Sequence, residues 1–72
     1  MEVIEHDIHY LYCPMNKKTH EFVTKRYEST NNIFEAIGWE TEKLCKKDIE
    51  EFDEPKEWVT VIKIIEETVI RR

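Results

Sequence analysis

One glycine, Gly38, and two prolines, Pro14 and Pro55, are the strong backbone breakers in 72 residues. A chain this poor in breakers must turn largely on polar residues, and those three points are where its regular segments are expected to be interrupted. The length fits a single domain, residues 1–72,. Such a domain buries only about 60% of its unfolded surface, so its core is small. Small cores often gain from a metal, a disulfide or a partner.

Val3 to Cys13 reads as a strand,. Ile4, His6, Ile8, Tyr10 and Tyr12 share one face, which is expected to face the core,. Pro14 should end the strand, because it cannot donate to a ladder. Met15 to Thr19 is short and polar, as a hairpin connection is. Glu21 to Glu28 then reads as a returning edge strand, with Lys25 and Arg26 protecting it,.

Ser29-Thr30-Asn31-Asn32 is a helix-start signal, and Asn32 with Glu35 has capping-box spacing,. Ile33, Phe34, Ile37, Leu44, Cys45, Ile49 and Phe52 recur at helical intervals. Gly38 interrupts them. It either sits inside one long helix at a cost of about 1 kcal/mol or ends a short one. In the second case Thr41 caps a second helix running to about Phe52. Glu42 and Lys46 have favourable spacing for a helical ion pair.

Asp53-Glu54-Pro55-Lys56 breaks the chain again. Glu57 to Ile65 is β-branched and apolar on both faces, as a central buried strand is. A helical stripe of Trp58, Val61, Ile62, Ile65 and Val69 competes with that reading, and the β-branched content favours the strand. Glu66 to Arg72 continues it or forms a tail. The expected fold is α+β: a three-stranded sheet in the order β-β-α-β, with helix packed on one face.

Composition excludes several classes. Hydrophobic residues are 40% and charged residues 38%, too apolar for disorder and unusually charged for a globular chain,. A net charge of −5 argues against a nucleic-acid surface and fits a partner with a basic face,. No apolar run approaches the ~18 residues of a membrane span. The start, Met1 to Asp7, is acidic and unlike a signal peptide,. The expectation is a cytoplasmic protein with Cys13 and Cys45 reduced. Abundant Ile, Lys, Glu and Asn are what a low-GC bacterium or its phage encodes.

Four constellations could carry chemistry. His6, His9, Cys13 and His20 fall close together, with Cys45 further on, and zinc takes such ligands,. Their spacing lacks a paired CxxC, and His6 and His9 alternate faces, so no metal or cofactor is expected. Cys13 and His20 could meet across the hairpin as an activated thiol. No orienting third group or oxyanion hole accompanies them, so no enzyme is expected. Lys17, Lys18, Lys25 and Arg26 lie near Tyr10 and Tyr27, the mixture that single-strand readers use,. Acids interleave there and dilute the basic footprint.

The fourth is the acidic stretch. Glu40 to Glu57 holds eight acids and four lysines. Glu50, Glu51, Asp53, Glu54 and Glu57 crowd a helix C-terminus, where negative charge is mildly unfavourable. Trp39 and Trp58 flank the stretch, and an exposed tryptophan anchors interfaces. The expected function is a non-enzymatic, protein-binding regulator or inhibitor of the mobile-element type. It would dock Glu50, Glu51, Asp53, Glu54, Glu57 and Trp39 on a basic surface, such as that of a nucleic-acid-processing enzyme. Two alternatives stand beside it: a single-strand nucleic-acid module using the hairpin, and a homodimer joined through a sheet edge.

Overall fold

Two long strands set the shape. The computed structural model describes residues 3–71, with side chains from Ile4 to Glu66. Arg72, and Met1 and Glu2 of the acidic start, lie outside the described residues. β1 (Val3–Asn16) and β4 (Trp58–Arg71) pair antiparallel end to end, with Val3 opposite Arg71 and Asn16 opposite Trp58. β2 (Phe22–Val23) pairs with β1, and β3 (Ser29–Thr30) pairs with β2. The result is an α+β fold whose antiparallel sheet has the order β3-β2-β1-β4, with α1 (Glu42–Glu50) against β1 and β4.

The sheet has four strands where three are expected, because the segment 21–28 does not stay extended. The Thr24 hydroxyl oxygen accepts from the backbone N–H groups of Arg26 and Glu28. Tyr27 turns through the left-handed region at φ 60°. The chain doubles back as β3, so β2 is internal and Lys25 and Arg26 sit in the turn.

Pro14 does not end β1. The N–H groups of Tyr12 and Asn16 point toward the β2 side, bonding Trp39 at 2.7 Å and Glu21 at 2.9 Å. Strand alternation puts the missing Pro14 N–H on that same side, between those two bonds. The ladder to β4 is untouched, and Pro14 is fully buried opposite Thr60.

The helical region follows the divided reading, in reduced form. Asn32 caps only a 3-10 turn, Ile33–Glu35, by accepting from the Phe34 N–H. Thr41 caps α1 by accepting from the Leu44 N–H, and Glu42 pairs with Lys46 at 3.0 Å. Between them Gly38 passes close to β1. A Cβ there would stand 2.9 Å from both Cβ and Cδ1 of Leu11. That approach lets Trp39 exchange two backbone hydrogen bonds with Tyr12.

The molecule measures 53 × 23 × 19 Å, and its radius of gyration is 15.0 Å. A compact domain of this length would have a radius near 11 Å. The excess is a head and a handle. In the head, Cys13, Phe22 and Ala36 form the core on one sheet face, with Met15, Ile33 and Val61 packed against them. On the other face α1 buries Cys45 and Ile49, and the Thr60 hydroxyl lies 3.6 Å from the Cys45 sulfur.

The handle is the outer half of β1 and β4, a two-stranded ribbon. Here two expectations fail. β4 is an edge strand, not a central one. The face holding Ile4, Ile8 and Tyr10 is exposed, not core. Alternation fixes which residues share a face, but a face becomes core only where another element covers it. No helix among the described residues is long and apolar enough to cross a membrane.

Candidate partner-binding groove

α1 ends in a tight turn, with the N–H groups of Glu51 and Phe52 bonding the Asp48 and Ile49 carbonyls. Pro55 then opens a 3-10 turn, Pro55–Glu57, a position that needs no N–H,. These two turns and the start of β4 enclose an open groove of about 540 Å³. Glu51, Asp53, Glu54 and Glu57 line it together with Tyr27, Phe52 and Trp58.

The three rings form one stack of edges and faces. Phe52 and Trp58 lie edge to face with centroids 4.7 Å apart, and Tyr27 meets Phe52 the same way at 6.2 Å. The Tyr27 phenol donates to Asp48 Oδ1 at 2.9 Å. That bond holds the phenol neutral and raises its pKa, with burial adding to the shift. Asp48 Oδ2 is buried without a hydrogen-bond partner among the described residues.

Two of the carboxyls respond to each other. The Lys18 ammonium pairs with Glu57 and, as its first cause, holds that carboxyl below the usual range. Glu54 moves the opposite way. A hydrogen bond with Glu57, then the Glu57 charge, raises it. As pH falls, Glu54 is therefore the first of the two to neutralise.

Not every expected residue converges here. Glu50 faces a different hollow, lined also by Glu42, Lys43, Lys46 and Lys47, where lysines offset its charge. Trp39 is half-buried beside Tyr12 on the β2 side of β1 and is not among the groove residues. Its indole Nε1 is buried without a partner among the described residues.

The basic and aromatic set is dispersed. Lys17 and Lys18 lie in the β1–β2 turn, Lys25 and Arg26 in the β2–β3 turn, and Tyr10 on the ribbon. Tyr27 belongs to the acidic groove.

The histidines and cysteines are also spread. His6 and His9 are exposed on opposite ribbon faces, His20 is exposed in a turn, and Cys13 and Cys45 are buried. Among the described residues no three His, Cys, Asp or Glu side chains group as metal ligands would. Nor does a hydrogen bond among them join Cys13 to His20. Burial raises both thiols, which favours the protonated and less nucleophilic form,.

Sequence reading missed Tyr27, Phe52, Trp58 and Asp48 as parts of this site. Phe52 and Trp58 bracket the Asp53–Lys56 breaker, and that bracketing was a usable signal. Tyr27 and Asp48 are 21 residues apart, and no local pattern joins them. The chain matches no protein-family model, no curated protein and no solved structure.

Proposed function

We propose that this chain is a non-enzymatic binding protein whose acidic, aromatic groove docks a Lys- or Arg-bearing surface of another protein. The observation that carries this reading is the meeting of four carboxyl side chains and three aromatic rings in one groove. Carboxylates attract a cation from a distance and pair with it on contact. Aromatic faces hold the same cation by its charge and its alkyl stem. Tyr and Trp are also the residues that most often anchor interfaces. The reading rests on Glu51, Asp53, Glu54 and Glu57, with Glu50 outside the docking set.

Enzymes that handle nucleic acid carry basic surfaces for phosphate. A small acidic protein seated there would compete with nucleic acid and act as a regulator or inhibitor. The test uses a short Arg-rich peptide as probe and reads affinity by fluorescence anisotropy. Reversing Glu51, Asp53, Glu54 and Glu57 to lysine should lower affinity at least about tenfold, and added salt should weaken the wild-type complex. Equal affinity in a folded reversal variant would overturn the reading.

A further inference from the structure

Five large apolar side chains lie along one face of the ribbon, with His6 between Ile4 and the other four. Ile4, Ile8 and Tyr10 come from β1 and Ile62 and Ile64 from β4, and each is 53–59% exposed. The register explains the grouping. Tyr10 is opposite Ile64 and Tyr12 is opposite Ile62, so the even-numbered residues of both strands share that face,. We infer that this face is a homodimer interface, covered by the same face of a second copy of this chain. The inference is independent of the acidic groove, which lies at the head.

Area supports it first. The five residues expose roughly 600 Å², the top of the range for the largest apolar patch on an ordinary monomer. Two such faces, fully covered by each other, would bury at most roughly 1,200 Å², the lower bound of a specific interface.

Charge supports a like partner. On the described part of this face the ionisable groups are His6 and Glu66, 3.4 Å apart across the strands, with the two tyrosines. The chain carries a net charge of −5, yet the described part of this face holds a single carboxylate, Glu66. A largely apolar face with one carboxylate offers little for a basic partner to pair with and tolerates its own copy.

Stability supports it too. A lone two-stranded ribbon is marginal in water. Among the described residues the buried hydrophobic side chains, Cys13, Phe22, Val23, Ala36, Cys45 and Ile49, all lie in the head. Stacking against a copy supplies the missing layer.

The alternative of pairing through the outer edge of β1 meets a charge conflict. Any antiparallel self-pairing that keeps this face continuous and is centred on residues 5, 6 or 7 sets Glu5 or Asp7 against an acid of the other copy. Like charges directly opposite are destabilising.

Sedimentation equilibrium of the full chain from about 1 μM to about 1 mM tests the inference. A concentration-dependent dimer is expected. Ile8→Glu with Ile64→Glu should abolish it while circular dichroism keeps the wild-type signature. Mixing that variant with Ile8→Lys, Ile64→Lys should restore a mixed dimer. A wild-type chain that stays monomeric overturns the inference. So does a dimer indifferent to these substitutions, which would place contact at an edge.

Discussion

Gly38 is required for its lack of a side chain, not for a special backbone angle. In Gly38→Ala the new Cβ meets the Leu11 Cβ at 2.9 Å, and that atom is fixed to strand β1. The backbone must give, at about 1–3 kcal/mol, as in overpacked cores. Urea unfolding should show that loss. Tyr27→Phe removes the bond to Asp48 Oδ1 and leaves a buried carboxylate with neither oxygen bonded. The expected cost is about 1–3 kcal/mol by the same measurement.

Alkaline pH acts on several single residues with one sign. Burial raises the Cys13 and Cys45 thiols above 9.0, the Asp48 bond raises Tyr27 above 10.0, and Glu57 raises Lys18 above 10.5. A raised folded pKa means the unfolded chain loses its proton first. The stability these groups contribute is complete below 9.0 and is lost as pH climbs through the raised values,. The urea midpoint should fall steadily above that pH. Constant stability up to about pH 11 would contradict these environments.

At the scale of elements, the two strand signals were local and legible. Alternation from Val3 to Cys13 and the β-branched run from Glu57 both became strands. The partners of those strands were not legible, because they depend on contacts far along the chain. The Asn32 capping signal was real but yielded only a 3-10 turn. Trp39 bridges to Tyr12 soon afterwards, and a continuing helix could not make that bridge. α1 kept its cap, and Thr41→Ala should cost about 1 kcal/mol of stability. Backbone alternation gives the ribbon a specific exchange pattern. The N–H groups of Asp7 and His9 face β4, whereas those of Ile8 and Tyr10 face the outer edge,. Hydrogen exchange by NMR should find the first pair slow and the second fast. Slow Ile8 and Tyr10 amides would mean that another strand pairs with this edge.

At the scale of the molecule, a head holds the core and the groove, and a ribbon extends from it. Four of the five acids chosen from the acidic run line one groove. Trp39 did not join them, and Tyr27 arrived from a turn that sequence had read as strand. Charge is a property of residues, whereas a groove is made by turns that bring distant residues together. A cationic partner seated in this groove would contact its rings and carboxylates together. The most direct measurement is an NMR titration of isotope-labelled protein with the Arg-rich peptide at low salt. Saturable shifts are expected at Tyr27, Glu51, Phe52, Glu54, Glu57 and the Trp58 indole, lost when salt is added,. Shifts confined to the ribbon or to the Lys17–Lys18 turn, or none at all, would contradict that seating.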